Sequence, residues 1–206
     1  MTRIKICGIT HAADAVMVAQ AGVDAIGLVF YPPSPRAVDI AQAQAIVAAL
    51  PPFVSVVALF VDPTVEQVQS VLSAVPVDIV QFHGEESPDF CRQFARPYLK
   101  AVRVKPGLDL VHYAHLYADA RGLLTDAYVP GVPGGTGARF DWSLLPSELP
   151  LPLILSGGLE PDIICDAVRA VRPAAVDVSS GVEARKGIKD AAKVAAFIAG
   201  VRHASV

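Results

Sequence analysis

Eight short apolar runs, rich in Val, Ile, Leu and Phe, alternate along this chain with eight longer Ala-rich segments of helical period. Strands of a parallel sheet are covered on both faces and read as continuous apolar runs, and each needs a crossover helix to reach the next. The alternation therefore predicts repeated βα units. Strands are expected near residues 3–7, 24–30, 54–61, 77–82, 98–104, 121–125, 151–156 and 174–179, and helices near 11–21, 39–50, 64–74, 86–95, 109–119, 141–146, 160–171 and 189–201. Thr10 is expected to cap the first helix, Gly22 to end it, and Asp62-Pro63-Thr64 to open the third. Eight units in 206 residues fill a compact (β/α)8 TIM barrel, an α/β fold of eight parallel strands, so residues 1–206 are expected to form one domain. An open doubly wound sheet would want a GxGxxG turn after its first strand, where this chain has Cys7-Gly8-Ile9-Thr10.

Composition narrows the function. A formal charge of -3, with no run of like charges, offers no basic stripe for nucleic acid. No apolar run is long enough to span a bilayer, and MTRIKICGIT lacks the apolar stretch of a signal peptide, so no membrane role is expected. Three cysteines without metal-site spacing point to a reducing compartment, the cytoplasm. The histidines, at 11, 83, 112, 115 and 203, make no HExxH or related cluster, so a metal is not implied.

A barrel gathers the carboxyl ends of distant strands around one pocket, and polar residues recur at those ends. Alternation places Lys5 with Cys7, Gln81 with His83, Ala101 with Arg103, Leu124 with Asp126, and Asp177 with Ser179 on the axis side. Cys7 is either a small packing residue, as most free cysteines are, or a reacting group. Cys91 and Cys165, within helices, read as packing residues. Asp126 at the end of an apolar strand must be paired, hydrated or functional; Lys5 or Arg103 would be its structural partner. As an acid it would need a pKa raised from about 3.9, and Cys7 as a base would need one lowered from about 8.5, which Lys5 beside it could supply. Arg36 sits on a loop stiffened by three prolines, a mounting suited to bidentate capture of a carboxylate. Ser156-Gly157-Gly158 and Ser179-Ser180-Gly181 follow the seventh and eighth strands, where backbone N–H groups hold phosphate in this architecture. Gly134-Gly135-Thr136-Gly137 offers a third phosphate contact, a hinged lid or a plain linker. His83 reads as structural or substrate-binding.

These segments together resemble the phosphoribosylanthranilate isomerase family of tryptophan biosynthesis: KICGIT at 5–10, GLVFYPPSPR at 27–36, VVALFVD at 56–62, VQFHGEE at 80–86, AVRV at 101–104, LLTDA at 123–127, GGTGARFDW at 134–142, ILSGGL at 154–159 and VDVSSGVE at 176–183. The resemblance spans nearly the whole chain and implies a single catalytic domain. Its reaction is an Amadori rearrangement of N-(5-phosphoribosyl)anthranilate to 1-(2-carboxyphenylamino)-1-deoxyribulose 5-phosphate, without metal or organic cofactor. It implies Asp126 as general acid, Cys7 as general base, Arg36 on the anthranilate carboxylate, and backbone at Gly157, Gly158, Ser179 and Ser180 on the phosphate. Gln81, His83, Gly135 and Asp177 join them as substrate-binding candidates. The implied partner is a small phosphorylated substrate, and the sequence leaves monomer and homodimer both open. The chain departs at Phe82, where Leu is common, at Ser156, where Ala is common, and at Ala184-Arg185-Lys186-Gly187, where proline often precedes the glycine.

Two other readings compete. A second phosphosugar barrel, an epimerase or an indole-glycerol-phosphate synthase, would want metal-binding His and Asp residues or a catalytic Lys-Glu set. A catalytically silent phosphate-binding barrel would be expected to have lost the acid or the base.

Overall fold

The computed structural model describes residues 1–127 and 141–204. Eight parallel strands close into a barrel: β1 (Arg3–Cys7), β2 (Ala25–Val29), β3 (Ser55–Phe60), β4 (Ile79–Phe82), β5 (Tyr98–Val104), β6 (Gly122–Ala127), β7 (Leu153–Leu155) and β8 (Ala175–Val178). Closure is made by β8 on β1, with Arg3 opposite Ala175 and Lys5 opposite Asp177. Helices α1 (Ala12–Ala21), α2 (Ile40–Ala48), α3 (Val65–Ala74), α4 (Pro88–Arg92), α5 (Leu110–Leu116), α6 (Ile164–Val171) and α7 (Ala191–Ala204) cover the outside.

The alternation of faces divides the core in two. Ile4, Ile6, Ile26, Leu28, Val56, Ala58, Phe60, Leu123 and Val176 face the helices within one continuous apolar layer. Leu99, Ala101, Leu124 and Ile154 form the plug inside the barrel. Each large aliphatic so buried contributes about 1.5–3 kcal/mol. Phe82 faces outward and is the centre of an aromatic cluster with Phe90, Phe94 and Tyr98, ring centroids 5.8–6.0 Å away. Cys91 is buried beside it, its thiol pushed up to about 12 by desolvation, and Cys165 lies half-buried on α6.

Helix punctuation follows the sequence in part. Gly22 ends α1 in the left-handed region at φ 93°, and Thr64 opens α3 with a reciprocal capping box to Gln67. Thr10 does not cap α1: His11 takes that position, while the Thr10 hydroxyl donates to the carbonyl of Gly187. The helix expected at 141–146 is a single 3₁₀ turn, Trp142–Leu144, because Pro146 and Pro150 leave no length in which a helix can propagate. The seventh strand starts at Leu153, since Pro152 has no N–H for the ladder. The helix expected at 189–201 begins at Ala191; before it lies an unforeseen hairpin, β9 (Glu183–Arg185) and β10 (Ile188–Lys189), turned at Gly187 with φ 80°. Among the described residues, no helix is long and apolar enough to cross a membrane.

Candidate active site

Cys7 ends β1 with its side chain buried in the carboxyl-terminal mouth of the barrel, packed with Val29 and Leu59. One glycine makes room for the thiol and a second makes room for its neighbours. In β2, a Cβ on Gly27 would stand 2.6 Å from Cys7 Sγ and 3.1 Å from Lys5 Nζ. After β1, Gly8 adopts φ 74°, and a Cβ there would stand 2.5 Å from Arg36 Cδ and 3.0 Å from Ser179 Oγ. Three segments far apart in sequence thus meet over one glycine.

Lys5 donates to Asp177 Oδ1 across 2.9 Å, with both side chains buried. Burial acts to lower Lys5, but Asp177 and the neighbouring Cys7 hold its ammonium above the ordinary range. Desolvation also pushes the Cys7 thiol up, by more than Lys5 draws it down. The sequence expectation of a lowered thiol pKa is therefore corrected: dehydration, with the Asp177 carboxylate acting alongside it, outweighs the ammonium groups of Lys5 and Lys189.

Asp126 stands on β6, across the mouth from β1. Neither Lys5 nor Arg103 pairs with it, since Lys5 serves Asp177 and Arg103 serves Glu85. Its Oδ1 accepts from the Ala127 N–H at 2.8 Å and its Oδ2 lies 3.2 Å from His83 Nε2. Gln81 Nε2 is 2.9 Å from His83 Nδ1, so with the amide in this orientation the ring carries its proton on Nε2 and donates it to Asp126. Gln81, His83 and Asp126 form one hydrogen-bonded row. Gly157, at φ 89°, presses against its end: a Cβ there would stand 2.8 Å from the Ala127 nitrogen and 3.0 Å from Asp126 Oδ1.

Arg36 is not an exposed loop arginine; only 7% of it is accessible. Its Nε and Nη2 donate to the two carboxylate oxygens of Glu183, each at 2.8 Å. The turns after β7 and β8 abut, since a Cβ on Gly181 would lie 1.9 Å from the Leu159 carbonyl oxygen. Ser179 precedes a 3₁₀ turn, Ser180–Val182, and its Oγ is buried with no hydrogen-bond partner among the described residues. Gly158 follows Gly157 in the left-handed region at φ 62°. Gly135, with the rest of Gly134–Gly137, lies outside the described residues. Among those described, no three His, Cys, Asp or Glu side chains gather as a metal site.

Sequence reasoning passed over Gly27, Glu183 and Lys189. A glycine inside the GLVF strand was a visible signal, because glycine in a strand marks a close approach. Lys189 was masked by the helix expected at 189–201, and Glu183 by lying in a stretch that carried no strand or helix period.

A closed barrel with a thiol, a carboxylate and a buried guanidinium at its carboxyl-terminal mouth defines a class, the (β/α)8-barrel enzymes that act on small substrates. The comparisons narrow it. The family described as N-(5'phosphoribosyl)anthranilate (PRA) isomerase matches residues 4–200. The N-(5'-phosphoribosyl)anthranilate isomerase of Azotobacter vinelandii is 59% identical over 202 residues, covering 98% of each chain. The crystal structure of phosphoribosyl anthranilate isomerase from Thermotoga maritima superposes with a TM-score of 0.90 at 42% identity, over 98% of this chain and 100% of that one. A second crystal structure, of phosphoribosyl anthranilate isomerase in complex with reduced 1-(o-carboxyphenylamino)-1-deoxyribulose 5-phosphate, gives 0.87 at 40% identity, over 98% and 100%. The chain belongs to the phosphoribosylanthranilate isomerase family.

Proposed function

We infer that this protein catalyses the Amadori rearrangement of N-(5'-phosphoribosyl)anthranilate in tryptophan biosynthesis, as the family to which it belongs supports. The observation that carries the assignment of roles is the facing of Cys7 on β1 and Asp126 on β6 across one mouth, with anion-holding groups beside each. Asp126, as the general acid, gives a proton to the furanose ring oxygen. The bond from that oxygen to C1' breaks as the anilino nitrogen's lone pair forms a C1'=N iminium. Cys7, as thiolate, takes the C2' proton, and the electrons left behind form C1'=C2' while the iminium π pair returns to nitrogen. The resulting enolamine tautomerises to the ketone at C2'. His83, donating to Asp126 and steadied by Gln81, keeps the acid aimed, and Asp177 keeps Lys5 charged beside the base.

Arg36 takes the anthranilate carboxylate, as a buried guanidinium with donors left over after Glu183 is suited to do. Backbone at Gly157, Gly158, Ser179 and Ser180, with the buried Ser179 hydroxyl, takes the phosphate. Gly135 is a further phosphate candidate. The solved relative holding a reduced product supports a substrate with an anion at each end. The protein works as one catalytic domain in the cytoplasm, as a monomer or homodimer that light scattering distinguishes.

Fluorescence-monitored turnover of phosphoribosylanthranilate tests the reading. Cys7→Ala and Asp126→Ala are each expected to lower kcat by about 10²- to 10⁴-fold with unchanged circular dichroism. Wild-type turnover in either variant removes that residue from its role.

A further inference from the structure

Glu183 belongs neither to the acid–base pair nor to the anchors, yet it is among the most heavily bonded side chains of the mouth. Its carboxylate grips Arg36 through Nε and Nη2, and its Oε1 also accepts from Lys189 Nζ at 3.0 Å. The same ammonium donates to the Ser179 carbonyl at 3.1 Å, reaching the turn after β8. The hairpin that carries both residues is strapped down twice: Lys193 of α7 donates to the Glu183 carbonyl at 2.8 Å, and the Lys189 N–H donates to Asp14 of α1 at 2.9 Å. Arg36, Glu183 and Lys189 are all buried.

We propose that Glu183, steadied by Lys189, is a positioning residue that braces the carboxylate anchor Arg36 against the phosphate-holding turn after β8, fixing the separation of the two anion sites. The inference rests on the roles given above to Arg36 and that turn. Three observations carry it. Glu183 occupies the Nε–Nη2 edge of the guanidinium, so the edge at Nη1 and the outer N–H of Nη2 remain as a parallel pair of donors shaped for a second carboxylate. Two cations around one carboxylate leave one net positive charge, which an incoming carboxylate neutralises. And Lys189 touches the brace and the phosphate turn with one ammonium, so neither can shift without the other.

The brace makes a prediction opposite in sign to simple electrostatics. Removing a buried negative charge from beside Arg36 should tighten anion binding if charge alone matters, and loosen it if geometry matters. Glu183→Gln is expected to raise KM and the competitive Ki of anthranilate by about 10-fold, the loss of one charged hydrogen bond, with kcat within about threefold. Glu183→Asp keeps the charge but withdraws it, and is expected to raise KM likewise; it serves if the glutamine variant does not fold. Lys189→Met is expected to raise the Ki of inorganic phosphate. Unchanged or lower KM and anthranilate Ki in the folded Glu183 variants, whatever their melting temperatures, overturn the brace. Arg36→Lys separates the two levels: if it leaves anthranilate inhibition at the wild-type value, the carboxylate-anchor reading itself falls, whereas a weakened Arg36→Lys beside unaffected Glu183 variants removes the brace alone.

Discussion

Cys7 holds its thiol where two influences oppose each other. Dehydration resists the thiolate, Lys5 and more weakly Lys189 favour it, Asp177 opposes them, and dehydration prevails. On the role proposed for Cys7, a base gains activity as pH rises, so kcat/KM is expected to climb into the alkaline range with a midpoint above the ordinary thiol value of about 8.5. The double variant Lys5→Met/Asp177→Asn removes the ion pair without stranding a buried carboxylate. Since Lys5 outweighs Asp177, the midpoint should move further up and the rate at neutral pH should fall, about tenfold for each unit moved. A pH–rate profile with an unmoved midpoint dismisses Lys5 as the tuning group. At this scale the sequence was most legible where strand position alone set a residue's place, as for Cys7 and Asp126 at the mouth. Gly27 and Glu183 were not, because their reasons lie in space: Gly27 clears a thiol on another strand, and the Glu183 partner Arg36 is 147 residues away.

At the scale of elements, the loop that carries His83 is fixed from behind. Lys100 points outward from β5 and is wholly buried, donating to the Gly84 carbonyl at 2.6 Å and Glu86 Oε2 at 3.0 Å under the ring of Tyr117. Glu86 Oε1 accepts in turn from the Asp62 N–H at 2.9 Å, and the Tyr117 hydroxyl donates to the Glu86 carbonyl at 2.8 Å. A lysine on the apolar side of YLKAVRV was the signal for this staple, visible only once parity is applied to polar residues as strictly as to apolar ones. Lys100→Met would leave Glu86 buried without its cation, at a cost of about 3–5 kcal/mol. Thermal melting should show a fall of roughly 6–20 °C, and a loss below about 1 °C would exclude a structural role. Elements set by periodicity came out close to expectation, whereas those set by proline did not. The 141–146 helix failed on Pro146, and the hairpin at 183–189 is too short to register as a strand period.

Across the whole molecule the barrel's seams are unequal. Six residue pairs join β5 to β6, from Leu99–Gly122 to Val104–Ala127, whereas two join β7 to β8. Native-state hydrogen exchange is therefore expected to be at least about tenfold faster for amides linking β7 to β8 than for those linking β5 to β6. Equal rates along both seams would mean that the barrel opens only as a unit. The closing contact, β8 on β1, has a consequence for how the protein comes into being. Lys5 and Asp177 are 172 residues apart, and Gly8 meets Ser179 over the same seam. During synthesis the strand bearing Cys7 emerges first and the strand that completes its surroundings emerges last among the eight. No nascent chain short of Asp177 owns both the thiol and its ammonium–carboxylate neighbours, so on the role proposed for Cys7 catalytic competence waits for the last eighth of the wall.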